Sequence, residues 1–366
     1  MAEDAGPIQT KAQPGAAGRP WLTNCWYVAA WAHELSSDKP LARKILGEDV
    51  VLYRRGDGRP VAMVDRCCHR LAPLSLGRIE GDCLRCMYHG LMFDPDGRCV
   101  DVPRQEIIGP NLKVRVFPTV ERFKFVWIWM GDPALADPDL VPDCHWQDDP
   151  AWRSIPGYVH YPLAGYMLIV DNLLDFSHLA FVHENTLGGG RSSAEVEPVI
   201  DRFDWGVRTT RWYRNDPLPP YLKKVAHFDG LVDRWQVIEW RIAGNMLSMN
   251  SGSAPAGTGA PEGRLSPQAC AFHSCQLITP ETATSAHYFW TYAHNFDLEN
   301  PAVTRELYDQ ISAGFEEDKA IIQAQQQVVL DHPDERMLTI GADAALQYVR
   351  GQLKRLLAAE GALSQG

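Results

Sequence analysis

Two short segments constrain this chain more than any other feature: Cys67-x-His69 and, after sixteen intervening residues, Cys86-x-x-His89. Each places a thiol and an imidazole a few residues apart, so two loop tips of this kind can bring two sulfurs and two ring nitrogens to one centre. Such a chain is expected to fold around metal. Structural zinc sites usually draw Cys-x(2–4)-Cys from one knuckle and His-x(3–5)-His from the other, whereas here each loop offers one of each. That division suits a two-iron cluster, with thiolates on one iron and imidazoles on the other.

The flanking sequence points to strands. From Asn24 to about Asp132, short apolar runs alternate with turn residues, as in Val50-Val51-Leu52-Tyr53 followed by Gly56-Asp57-Gly58, the pattern of hairpins. The aromatic and β-branched run Phe123 to Met130 reads as a core strand closing an all-β domain over residues 21–140. Residues 1–20 read as a disordered tail without the apolar stretch of a secretory signal. Pro133, Pro138, Pro142 and Pro150 crowd the next segment and mark a domain boundary.

The second domain, over residues 150–350, has a different rhythm. A helix is expected from about Asn172 to His183, strand-like segments from Val207 to Ala293, a mobile loop over Ser251 to Pro267, and a long helix from Val303 to Leu330. Together the halves predict an α+β chain, the second half combining an antiparallel sheet with helices to one side.

His178 and His183 stand five residues apart. On a regular helix five residues turn by about 500°, leaving the rings roughly 140° apart, so a shared metal requires a π-type bulge or a helix that ends before His183. Asp175, one turn before His178, is placed for its carboxylate to accept a hydrogen bond from that imidazole. An iron that must bind oxygen typically adds a carboxylate to two histidines. The segment Phe315-Glu316-Glu317-Asp318-Lys319 offers three, which spacing alone does not separate.

Composition removes other functions. Lys and Arg total 35 against 46 Asp and Glu, a net charge of -11 with no basic cluster, so neither nucleic acid nor an anionic membrane is an expected partner. No apolar run approaches the ~20 residues of a membrane helix. Nine cysteines in a chain expected to be cytoplasmic favour reduced thiols, and Cys25, Cys68, Cys83, Cys99, Cys144, Cys270 and Cys275 read as packed and free. No Rossmann fingerprint for flavin or nicotinamide is present.

Cys67-Cys68-His69-Arg70 and Cys86-Met87-Tyr88-His89-Gly90 resemble the cluster-binding signature of Rieske non-haem iron oxygenases. Leu91 stands where many members carry Trp. Asn172-x-x-Asp175-x-x-His178-x4-His183 and Glu317-Asp318 resemble the mononuclear iron site of the same family, and the likeness, from Asn24 to the C-terminal helix, is to oxygenase components of the vanillate and dicamba O-demethylase group. It implies a Rieske domain followed by a helix-grip catalytic domain. It also implies a [2Fe-2S] cluster on Cys67, His69, Cys86 and His89, and Fe(II) on His178, His183 and Asp318. Asp175 would link the iron histidine to His89 or His69 of an adjacent subunit in a homotrimer, and substitutions at Glu316 and Glu317 would be mild. Electrons would come from NAD(P)H through a separate reductase, with or without a ferredoxin.

The implied activity is O2-dependent hydroxylation or O-demethylation of a small aromatic compound such as a methoxylated aromatic acid. The alternatives are a ring cis-dihydroxylating dioxygenase subunit and a zinc-binding protein without enzymatic activity; an electron carrier would leave the second domain unexplained. The strands between Trp240 and Ala293 are expected to line the substrate pocket, with Asn250, His273, His287, Trp290 and His294 as candidate contacts. Gln276 and Ser248 stand where the dicamba enzymes resembled here hold His and Asn, which argues against dicamba itself.

Overall fold

Hairpins build the first half. In the computed structural model, which describes residues 20–188, 190–260, 263 and 265–363, Trp26–Trp31 pairs with Phe125–Trp129, which pairs with Thr119–Arg122. A second sheet joins Leu41–Ile45, Glu48–Arg54, Pro60–Val64 and Val116–Phe117, and a third joins Arg78–Glu80, Cys83–Arg85, Met92–Phe93 and Cys99–Asp101. The expected tail, residues 1–20, lies outside the described residues apart from Pro20.

Phe125–Trp129 is apolar throughout because both its faces are covered. Val126 and Ile128 join the core of the first half, while Phe125, Trp127 and Trp129 pack with Trp26 and Trp31 against Leu277 and Phe289 of the second. The turn Leu46-Gly47 has φ of 50° and 80°, the left-handed pair of a type I′ hairpin. Its amides donate to Pro280 O and Glu281 O at 2.8 and 2.9 Å, so this hairpin tip locks the halves together.

One antiparallel sheet of seven strands dominates the second half, in the order Arg153–Tyr161, Ser285–His294, Cys270–Thr282, Met246–Pro255, Leu231–Arg241, Gly206–Pro217, Val199–Phe203. Side chains alternate across it. On Ser285–His294, Tyr288 and Trp290 meet Phe315, while Phe289 and Ala293 face the aromatic layer beneath the first half. Among the described residues four α-helices complete the fold: α1 (Tyr166–Leu174), α2 (Ser192–Glu195), α3 (Pro301–Asp331) and α4 (Ala344–Leu363). Asn300 caps α3 through Oδ1, which accepts from Ala302 N at 3.1 Å, with Pro301 as the first helical residue.

Three expectations need correction. The helix expected over Asn172–His183 stops at Leu174; a 3-10 turn, Phe176–Ala180, follows, and His183 lies in turns beyond it. The loop expected over Ser251–Pro267 begins later, since Met246–Pro255 is a ten-residue strand whose polar Ser and Gly pair across to Cys270–Thr282. Cys144 and Cys275, expected as free thiols, are joined as a disulfide, with their Cα atoms 6.8 Å apart. The prolines of the connecting segment fold Cys144 back onto the sheet, a proximity that spacing does not reveal.

Candidate functional site

The two cluster loops share one backbone design. Cys67 N donates to Ala72 O and Cys67 O accepts from Leu71 N; Cys86 N donates to Leu91 O and Cys86 O accepts from Gly90 N. The fifth residue of each loop is left-handed, with φ of 59° at Leu71 and 80° at Gly90. Glycine adopts this freely, whereas Leu71 does so at a cost of roughly 1–2 kcal/mol that the surrounding hydrogen bonds must offset. Both thiols are buried, while the His69 and His89 rings, 4.7 Å apart between centroids, are exposed at the tip.

Burial, with the adjacent Cys86 thiol, pushes Cys67 up to about 11. Thiolates here need a cationic centre to compensate them. Two buried thiols with two imidazoles beyond them form like pairs, the division that suits a two-iron group with thiolates on one iron and imidazoles on the other.

The compact group is His178, His183 and Asp318. His183 Nε2 stands 3.1 Å and His178 Nε2 3.5 Å from Asp318 Oδ1. Each imidazole is turned by a hydrogen bond from its other nitrogen: His178 Nδ1 donates to Asp175 O at 2.6 Å and His183 Nδ1 to Glu317 Oε2 at 2.7 Å. These acceptors fix the tautomers and leave both Nε2 lone pairs aimed at Asp318, the arrangement of metal-binding histidines. Asp318 is 4% exposed with no Lys or Arg on it, its Oδ1 accepting from Asn172 Nδ2 at 2.9 Å. A buried carboxylate faced by two imidazole nitrogens, with Asn172 Nδ2 3.4 Å from His178 Nε2, suits a divalent cation. Burial pushes the His178 pKa down; at His183 burial acts the same way, but hydrogen bonds to Asp318 and Glu317 outweigh it and leave the pKa raised.

Chain geometry assembles this group. The break after Leu174 solves the five-residue spacing, because His183 need not follow a helical rotation. Gly188 N then donates to His183 O at 2.8 Å, an approach so close that a Cβ there would lie 2.5 Å from both His183 O and Leu179 O. On α3 the buried positions include Val303, Leu307, Ile311, Phe315, Asp318 and Ile322. Asp318 is thus a carboxylate in an otherwise apolar stripe of helical period. That periodicity is the signal that separates it from Glu316, which lies near Lys319 at 3.8 Å, and from Glu317.

Asp175 departs from expectation. It meets His178 through its main-chain oxygen, while its carboxylate accepts from Ser177 N and Oγ at 2.9 and 3.0 Å. It caps the 3-10 turn because the helix that would have aligned its side chain with His178 has already ended. Glu317, expected to be a mild site, is instead the carboxylate partner of an imidazole.

A cavity opens onto the three residues, lined also by Leu173, Phe176, Tyr221, Arg234, Gln236, Met249, Gln276, Tyr292, Ile311 and Phe315. Its volume is about 70 Å3, room for several waters at roughly 10–15 Å3 each. Of the contacts expected from sequence, Asn250, His273, His287, Trp290 and His294 are absent from this wall. Asn250, His273 and Ser248 lie together in a groove on the other sheet face with Trp146. His287 accepts from Tyr158 or donates to it at 2.8 Å, Trp290 packs on Tyr308, and His294 bonds Phe296 O. Strand parity turns Asn250, His273 and His287 away from the cavity, whereas Trp290 and His294 share the face of Tyr292 and are taken up by Tyr308 and Phe296; Gln276 faces the cavity.

Comparison with known proteins follows the same division. Residues 25–118 match the Rieske [2Fe-2S] domain model and residues 163–359 the vanillate O-demethylase oxygenase C-terminal domain model. The chain is 50% identical over 343 residues to a toluene-4-sulfonate monooxygenase system iron-sulfur subunit of Comamonas testosteroni, covering 93% of this chain and 98% of that protein. It is 35% identical over 348 residues to the dicamba O-demethylase oxygenase component of Stenotrophomonas maltophilia, covering 92% and 98%. The crystal structure of dicamba monooxygenase bound to dicamba superposes with a TM-score of 0.84 at 34% identity, covering 94% of this chain and all of that one, 100%. This chain belongs to the Rieske non-haem iron monooxygenases, as an oxygenase component that joins a [2Fe-2S] domain to a catalytic domain of the vanillate O-demethylase type.

Proposed function

We propose that this oxygenase oxidises a methyl or methoxy carbon on a single aromatic ring that carries an anionic group. The observation that carries the reading is the largely apolar cavity, with Leu173, Phe176, Met249, Ile311 and Phe315 in its wall, that ends at His178, His183 and Asp318. The named substrates of its relatives share this chemistry: toluene-4-sulfonate has a ring methyl and a sulfonate, vanillate and dicamba a methoxy group and a carboxylate. When bound, iron at the three-residue site and the cluster on Cys67, His69, Cys86 and His89 supply oxygen activation and electron transfer. One atom of O2 enters the substrate and the other leaves as water, with two electrons drawn from NAD(P)H by a separate reductase. A hydroxylated methoxy carbon is a hemiacetal, which collapses to a phenol and formaldehyde.

The protein's own part is positioning. Leu173, Phe176, Met249, Ile311 and Phe315 give the ring an apolar slot, and the hydrogen bonds on His178 and His183 hold the ligand nitrogens in place. The assembly we infer is a homotrimer in which Asp175 of one subunit approaches His69 or His89 of the next. Exposed Leu71, Met87, Tyr88 and Ile107 in and beside the cluster loops support it, since apolar side chains around a polar tip mark a contact surface. A cytoplasmic setting accords with this chemistry, and no described helix is long and apolar enough to cross a membrane.

The test is turnover with a Rieske-type reductase, NADH and 18O2 on toluene-4-sulfonate, 4-methylbenzoate and vanillate. Incorporation of one labelled atom at the methyl carbon, or formaldehyde release from vanillate, is the expected result. A cis-dihydrodiol carrying both labelled atoms would replace this reading with ring dihydroxylation.

A further inference from the structure

Arg234 is the cation of the cavity wall. It is 4% exposed and belongs to the strand Leu231–Arg241, with its side chain on the face that carries the cavity. Burying a guanidinium is costly unless it is compensated. Here Nη1 donates to Asp216 Oδ2 at 2.7 Å, and Asp216 is also buried.

The sequence takes trouble to arrange this pair. The register of Gly206–Pro217 against Leu231–Arg241 shifts between Tyr213 and Asp216, and within that bulge Asn215 is left-handed at φ 52°. A bulge re-aims the residue beside it, and the one re-aimed here is the counter-ion of Arg234. Arg234 lines the cavity and Asp216 does not, so the carboxylate sits behind the guanidinium. Tyr213 holds the guanidinium over its ring, 4.8 Å from the centroid. Among the described residues Asp216 takes one of the five guanidinium N–H donors.

Arg234 and the His178, His183 and Asp318 group line one and the same cavity.

We propose that Arg234, backed by Asp216, is an anion subsite that binds the sulfonate or carboxylate of a one-ring aromatic substrate and so turns the methyl group toward His178, His183 and Asp318. This deepens the proposed function and rests on it.

The experiment is calorimetric binding to the oxidised holoenzyme, which needs no reductase, of toluene-4-sulfonate, 4-methylbenzoate and neutral 4-methylbenzenesulfonamide. Wild type should prefer at least one anion over the sulfonamide by about tenfold or more, the scale of a charged hydrogen bond. Whether sulfonate or carboxylate is preferred tells which anion the subsite takes. Arg234→Gln alone leaves Asp216 uncompensated and can lose the fold, so the deciding variant is Arg234→Gln with Asp216→Asn, which removes both charges together. Its anion preference should fall to about one, with iron content and cluster spectrum unchanged. An anion preference retained in the double variant, or absent in wild type, overturns the subsite. Product analysis separates the two readings: methyl oxidation of the sulfonamide without anion preference leaves the oxygenase reading intact. A lack of oxidised product from all three probes overturns that reading and the subsite with it.

Discussion

His183 Nδ1 lies 2.7 Å from Glu317 Oε2, and the same oxygen accepts from Thr186 Oγ1 at 2.6 Å. His178 has only a main-chain carbonyl in the corresponding place, that of Asp175. The two imidazoles of the compact site are therefore held by unlike partners, one charged and one neutral. A carboxylate on the far nitrogen makes an imidazole a stronger ligand.

Replacing Glu317 should consequently weaken the metal site. Glu317→Gln keeps the shape but not the charge, and should lower Co(II) or Fe(II) affinity by roughly 10- to 100-fold, read by metal titration of the iron-depleted protein. Glu316→Gln should leave affinity unchanged. Equal affinities in the two variants would show that the His183 contact contributes nothing.

The two metal centres should be separable. Asp318→Ala is expected to lose mononuclear iron and all product formation while keeping the visible bands of the cluster. His69→Ala should bleach those bands and still load iron at His178, His183 and Asp318. Iron analysis beside the visible spectrum checks both, and a variant that loses the two together would show that the sites fold as one unit.

Asp175→Asn should keep both metals and the oligomeric state, yet slow reoxidation of the reduced cluster by orders of magnitude when substrate and O2 are present. Among the described residues the carboxylate is held by Ser177 N and Oγ, an arrangement open to a further contact from a neighbouring subunit. Near-normal reoxidation in rapid-mixing absorbance would eliminate the bridging role.

Acid should loosen the seam between the halves at His287. Burial first, then Arg43, pushes its pKa down to about 4; its ring bonds Tyr158 and Lys44 O, with Glu281 and His160 close by. The fold holds this ring neutral, whereas the unfolded chain protonates it near 6.5. Its contribution to stability is thus complete above about 6.5 and is lost as pH falls toward about 4. Urea midpoints at pH 7.5 and 5.0 should fall further in wild type than in His287→Gln; parallel slopes would assign the acid sensitivity to other groups.

The chain itself determines the chemistry it can carry. Cys67, His69, Cys86 and His89 sit within a few residues of one another in two loops, and local spacing alone gathers each pair. His178 and His183 are similarly near, and the geometry of a helix was enough to say that it must break or bulge between them. Even Asp318 was legible in principle, as the polar member of the stripe that runs through Ile311, Phe315 and Ile322.

What the tertiary structure decided are relationships between distant segments. Which carboxylate oxygen meets His183, which residue stands behind Arg234, and the meeting of Cys144 with Cys275 all depend on contacts 18 or more positions apart. The cavity wall is of the same kind: Asn250 and Met249 are adjacent in sequence but on opposite faces of the sheet, and only the packing of α1 and α3 over one face makes that face the site. Asp175 shows the limit most plainly. A single early helix end at Leu174 moves its carboxylate off His178 and leaves the main-chain oxygen there instead, because hydrogen-bond direction changes with every backbone angle while sequence spacing stays the same.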